Sequence, residues 1–154
     1  QLAFQPPAFT LALGKLMRSI WPGFTQSNPL EIKYLSRNPK VAEAYLADPL
    51  VHDKISARTA LDSIAAADEL HHFTGHLSFP TLIMHGDQDG LTSYPASKAF
   101  VERVKGEDLT FKTWYDFYHE LHNEPEQEEV FTYVLDWLKP RIKTTKSDRK
   151  LRSV

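Results

Sequence analysis

The residues able to do chemistry cluster in two short stretches, "HGDQDGLT" at 85–92 and "DFYHELHNE" at 116–124. The second brings His119, Glu120 and His122 together. Three uses fit such a set: half of a metal site, the base of a hydrolase, or ordinary polar residues before a helix. A metalloprotease helix needs His-Glu-x-x-His, because positions i and i+4 place both imidazoles on one face. Here the second histidine comes one residue too soon, and Pro125 implies that the helix starts only afterwards. His71, His72 and His76 form another cluster, but no carboxylate stands at a telling distance. "DQDG" at 87–90 opens like a calcium loop, and the later ligands are missing. No metal and no cofactor is expected.

These stretches need elements to hold them. Residues 8–21 carry apolar side chains at 9, 12, 13, 16, 17 and 20, the spacing of a helix with one wide apolar face. Pro22 and Gly23 end it. Residues 24–40 read as irregular. A short helix over 41–47 closes at Asp48-Pro49, since a residue before proline avoids the α region. A stronger helix covers 56–70, with Ser56 as its N-cap. "TLIMHG", 81–86, is a continuous apolar run, as in a strand buried on both faces of a parallel sheet. A helix over 94–106 follows, with Gly106 as C-cap. A strand over 109–115 and a helix over 125–140 complete the chain. Strand, helix, strand, helix implies a parallel sheet flanked by helices. The front half is all helical, and a boundary is expected near 73–79. Two strands alone leave unpaired edges, so the sheet is expected to begin upstream of this chain.

In open α/β sheets, reactive residues sit in loops beyond the carboxyl ends of the strands. If 81–86 and 109–115 are parallel neighbours, Asp89 and His119 emerge on one edge, about a strand spacing apart. A carboxylate on an imidazole fixes its tautomer and stabilises the imidazolium formed during acyl transfer. The order Asp then His, with strand–helix–strand between, is the back half of an α/β-hydrolase triad, whose order is Ser, Asp, His. The nucleophile's Gly-x-Ser-x-Gly is absent: no two of the six glycines (14, 23, 75, 86, 90 and 106) bracket a serine in that spacing. Nucleophile and oxyanion loop are expected upstream of Gln1.

"FPTLIMHGDQDGLTSYPASKAF" and "YHELHNEPEQEEVF" closely resemble the C-terminal part of monoacylglycerol lipases of the serine α/β-hydrolase superfamily. "LSRNPKVAEAYLADPLVHDKIS", 35–56, resembles their cap segment. The resemblance runs over roughly residues 10–140. The fold class it implies is α/β: the C-terminal part of an α/β-hydrolase fold, with its last parallel strands and flanking helices, preceded by a helical cap or lid segment. It implies that Asp89, three residues after Gly86, is the catalytic acid and Asp87 a solvated turn residue. It implies that His119 is the base, while His122 positions the loop or caps the next helix. Relatives often carry glycine where this chain has Asp116. If φ is positive there, aspartate costs something relative to glycine, and it offers His119 a competing carboxylate. The cap implies a substrate-binding row of Leu13, Leu16, Met17 and Ile20, next to Trp21, as an apolar entry for an acyl chain. The alternative is that this face packs on the domain below.

Composition bounds the rest. Net charge is −2, which offers no broad basic surface for nucleic acid. From Lys139 on there are seven basic residues against one acid, Asp148, read as a solvated, disordered end with peripheral contact to anionic lipid as the minority reading. The chain has no cysteine, which removes disulfides, thiolate catalysis and Cys-ligated zinc. No apolar run reaches the roughly 18 residues of a membrane-spanning helix. The location expected is cytoplasmic, with a place peripheral to membranes as the secondary reading. The organisation expected is a cap over 1–75, a core part over 76–142 and a basic tail over 143–154. The function expected is the C-terminal portion of a serine ester hydrolase acting on monoacylglycerols or similar lipid esters, this segment alone being inactive. The alternatives are a lysophospholipase, carboxylesterase or serine aminopeptidase of the same superfamily, or a stand-alone fragment that binds lipid or a partner without catalysis.

Overall fold

The structure, a computed structural model, describes residues 8–142 apart from Pro22 and Pro29. Pro22 as a helix stop and the tail over 143–154 therefore lie outside the described residues. Helix α1 spans Ala8–Ile20 and strand β1 Thr25–Ser27. Helix α2 (Pro39–Ala47) starts where Asn38 accepts from the Lys40 N–H, with proline at its first position. Strand β2 (Lys54–Ser56) pairs antiparallel with β1. Helix α3 (Ala57–His72) has Ser56 as N-cap, accepting from the Thr59 N–H at 3.1 Å.

The second half is built on strands β4 (Thr81–Gly86) and β6 (Leu109–Trp114). They are parallel neighbours, in register from Thr81↔Leu109 to Gly86↔Trp114. Helix α4 (Tyr94–Arg103) covers one face: Tyr94 stacks on Phe111 and bonds Thr113. Helix α5 (Gln127–Leu138) covers the other: the Trp137 indole donates to Thr110, and Tyr133 meets Trp114 edge-on. The residues of β6 thus alternate between two helices, as a strand period of two requires. Trp114, Phe117, Leu121 and Val130 form the buried core, with Met84 and Tyr133 packed on it. Acidic Glu128 and Glu129 stand in the first turn of α5, at the positive end of its dipole.

Some expectations need correction. Residues 24–40 are not wholly irregular, since β1 lies there. Gly106 is no helix cap: α4 ends at Arg103, and Gly106 belongs to strand β5 (Lys105–Gly106), parallel to strand β3 (His76–Leu77). The start of the basic tail is not wholly solvated. Arg141 makes two hydrogen bonds to Asp108 and lies over the Trp137 ring, because a guanidinium fork matches a carboxylate and stacks on an indole. Among the described residues, no helix is long and apolar enough to cross a membrane.

Candidate active site

The turn after β4 and the loop after β6 are laced together. The Asp87 N–H donates to Trp114 O and the Gln88 N–H to Phe117 O. Gly86 is required by contact: a Cβ there would fall 2.3 Å from Phe117 O and 2.4 Å from Tyr118 O. Asp116 has φ 66°, the left-handed region. Its N–H donates to Asp87 Oδ1 at 2.6 Å. Asp87 is therefore a turn residue whose carboxylate also latches the two loops together. Asp116 does not compete for the imidazole, whose hydrogen bond goes elsewhere.

That bond joins the two residues singled out by the sequence. His119 Nδ1 lies 2.8 Å from Asp89 Oδ2. The Asp89 side chain is only 3% exposed. Its Oδ1 accepts from the Leu91 and Thr92 N–H groups at 2.7 and 2.9 Å. Its Oδ2 also accepts from the Thr92 hydroxyl at 2.6 Å, and His85 Nε2 stands 3.0 Å away. Burial pushes the carboxyl up, but the hydrogen bonds from His119, His85 and Thr92 outweigh it and hold Asp89 well below the usual carboxylate range. His119 is raised above the ordinary imidazole value, chiefly by its bond to Asp89 and against the effect of burial. Its side chain is 37% exposed. A carboxylate accepts only, so Nδ1 carries the hydrogen and Nε2 is left as the free basic edge.

A strap from the front half fastens the histidine loop. The His119 and Glu120 N–H groups donate to Tyr34 O and Leu35 O at 3.1 and 2.8 Å. The Ser36 hydroxyl donates to Asn123 O at 2.8 Å. Glu124, whose side chain is fully buried, accepts from the Tyr118 N–H at 2.7 Å and from Arg37 Nε at 2.8 Å. Arg37 also pairs with Glu126 and lies over the Phe117 ring. His122 does not cap the next helix. It is exposed on a 3₁₀ turn over Leu121–Asn123, and the N-cap position of α5 is Glu126.

The apolar row of α1 is placed less decisively. The helix packs on α3, with Gly14 facing Leu61 and Arg18 paired with Asp62. Leu13, Leu16 and Ile20 remain 39%, 55% and 70% exposed, and Met17 is half-buried. Sequence reasoning missed His85, Arg37 and Glu124. His85 carried a signal that names no partner, a histidine near the end of an otherwise apolar strand. The Arg37–Glu124 pair carried none, its members being 87 residues apart.

The family described as serine aminopeptidase, S33, matches residues 1–126. The chain is 36% identical over 129 residues to a monoacylglycerol lipase of Mycolicibacterium smegmatis, covering 83% of this chain and 46% of that protein. It is 35% identical over 139 residues to an uncharacterized abhydrolase domain-containing protein of Dictyostelium discoideum, covering 90% of this chain and 15% of that one. Among solved structures, a monoacylglycerol lipase of Paleococcus ferrophilus superposes with a TM-score of 0.73 at 35% identity, over 86% of this chain and 52% of that one. A soluble variant of monoglyceride lipase from Saccharomyces cerevisiae, solved with a substrate analog, has a TM-score of 0.75 at 20% identity, over 90% and 48%, and speaks to the fold alone. The chain thus spans about half the length of these lipases, and less of the Dictyostelium protein. The fold is that of the α/β-hydrolases.

Proposed function

The chain belongs to the serine aminopeptidase S33 family of hydrolases, and from that premise we propose that the whole protein is a serine ester hydrolase of monoacylglycerols or similar lipid esters. The observation that carries this reading is the 2.8 Å bond between Asp89 and His119 at the carboxyl edge of two parallel neighbours. His119 Nε2 takes the proton of a serine hydroxyl supplied by residues outside these 154, then returns it to the leaving alcohol. Asp89 keeps Nδ1 protonated and stabilises the imidazolium. In this proposal residues 1–75 form the cap, where Leu13, Leu16, Met17 and Ile20 receive the acyl chain, and residues 76–142 form the core part. A lipid ester would bring the protein to a membrane surface as a peripheral visitor.

The test uses the natural full-length gene. His119→Ala is expected to lower kcat on a medium-chain monoacylglycerol on the order of 10⁶-fold. Retained turnover would sink the assignment. A panel of lysophospholipid, short carboxylester and aminoacyl substrates separates the other readings within the superfamily. A non-catalytic reading draws on one observation, the absence of Gly-x-Ser-x-Gly from the 154 residues. Specific labelling of this chain by a serine-directed fluorophosphonate would contradict it.

A further inference from the structure

His85 is the penultimate residue of β4, and its side chain is 10% exposed. Nε2 stands 3.0 Å from Asp89 Oδ2, and Nδ1 stands 2.8 Å from the Ser97 hydroxyl on α4. A neutral imidazole has one donor nitrogen and one acceptor nitrogen. The carboxylate can only accept, so Nε2 carries the hydrogen. Nδ1 is then the acceptor, and the Ser97 hydroxyl donates to it. The Tyr94 ring meets the imidazole edge-on at 5.8 Å and fills the space beside it.

We propose that His85 is a positioning residue for the reaction: an imidazole whose Nε2–H is fixed by the Asp89 carboxylate, with Ser97 donating to Nδ1, that shares Asp89 Oδ2 with His119 and so makes Asp89 a weaker partner for the imidazolium of the base. This rests on the reading of Asp89 and His119 as acid and base. Each further donor to Oδ2 disperses the carboxylate charge and makes it a weaker partner for an imidazolium. His119 keeps its orientation, yet gives up its proton at a lower pH than it would beside a carboxylate of its own. Among the described residues, the titratable and charged groups placed against the pair are Asp89 from the β4 turn, Glu120 on the same loop as His119 and Tyr94 of α4. None of them is cationic, so His85 and the Thr92 hydroxyl are what offset the Asp89 charge.

Removing the His85 donor concentrates charge on Oδ2, strengthens the His119 imidazolium and moves upward the inflection through which kcat/KM rises with pH. In the natural full-length protein, His85→Leu is expected to raise that inflection by about 0.5–1 pH unit. His85→Gln, which keeps an N–H donor, should stay near the natural value. A purely structural role would lower kcat without moving the inflection. Nitrogen-15 NMR of the ring nitrogens gives a readout that needs no turnover. His85 should show a protonated Nε2 in the natural protein and keep it in Ser97→Ala, because Asp89 still faces that nitrogen. An unmoved inflection in folded His85→Leu, or a hydrogen on Nδ1 of His85 in the natural protein, overturns the proposal. If His85→Leu fails to fold, the ring-nitrogen signals of the natural protein decide, since a hydrogen on Nδ1 of His85 leaves Asp89 Oδ2 without that donor. Activity surviving in His119→Ala would instead defeat the functional reading, and the NMR result distinguishes the two failures.

Discussion

Asp89 Oδ2 receives the Thr92 hydroxyl and two imidazoles, and Oδ1 receives two backbone N–H groups. A carboxylate so supplied stays ionised although its side chain is almost wholly buried. The consequence for pH is asymmetric. A folded pKa below the unfolded value of about 3.8 gives stability that is complete above that value and is lost as pH falls below it. His119 is raised from 6.5. With His119 as the proposed base, kcat/KM of the full-length protein should rise with pH through an inflection above 6.5. Asp89→Asn should move the inflection down and lower kcat about 10⁴-fold, because an amide leaves the wrong tautomer in place. A pH–rate profile of the two proteins checks both outcomes. The pair itself was legible in the sequence because strand identity and chain order put both residues on one edge. His85 was not, because a histidine inside "TLIMHG" reads as a strand residue with no visible partner. The latch role of Asp87 was not legible for a similar reason: it depends on a backbone N–H 29 residues away.

The elements that present His119 come from both halves of the chain. The Tyr34–Arg37 strap lends two backbone carbonyls to the histidine loop, and Arg37 reaches the buried Glu124, which in turn holds the Tyr118 N–H next to His119. Gly90 belongs to the same seam, since a Cβ there would meet the Tyr34 ring at 2.4 Å. Removing one member of a buried ion pair leaves the other uncompensated. Arg37→Ala is expected to destabilise the full-length protein by about 3 kcal/mol and to lower kcat more than it changes KM, since the loop carrying the base loosens. Calorimetry and steady-state kinetics measure the two effects, and a variant unchanged in both would show that the strap does not support the loop. The helices and the two long strands were legible from periodicity and local signals such as Ser56 and the apolar run 81–86, while Asn38, which caps α2 and starts it at Pro39 rather than at 41, reads as irregular chain. Strands β1, β2, β3 and β5 were not, because two or three residues are too few to show alternation. Gly106 was misread as a helix end for that reason.

At the scale of the molecule, burial is thin for the length. The buried hydrophobic residues among those described are Leu35, Ala57, Leu91, Val104, Trp114, Phe117, Leu121 and Val130. Large apolar side chains left exposed outnumber them, including Leu16, Ile20, Trp21, Leu50, Phe79 and Leu135. A self-sufficient domain of about 150 residues buries some two-thirds of the surface its chain exposes, and contiguous apolar faces mark surfaces made to be covered. This imbalance could not be foreseen from composition, which at 42% hydrophobic is that of an ordinary globular chain. It becomes visible only when the helices are placed and α1 is found to cover α3 while keeping much of its own apolar row outside. The 154 residues expressed alone should therefore bind the dye ANS strongly, melt without a sharp transition and, on the proposed function, leave a fluorophosphonate unreacted, since they contain no Gly-x-Ser-x-Gly to serve the proposed acid and base. The natural full-length product should bind little dye, melt cooperatively and take one label on a serine outside these residues. A sharp melt with little dye binding for the 154 residues would show that the exposed rows need no cover, and a specific label on one of their own serines would place the nucleophile within them.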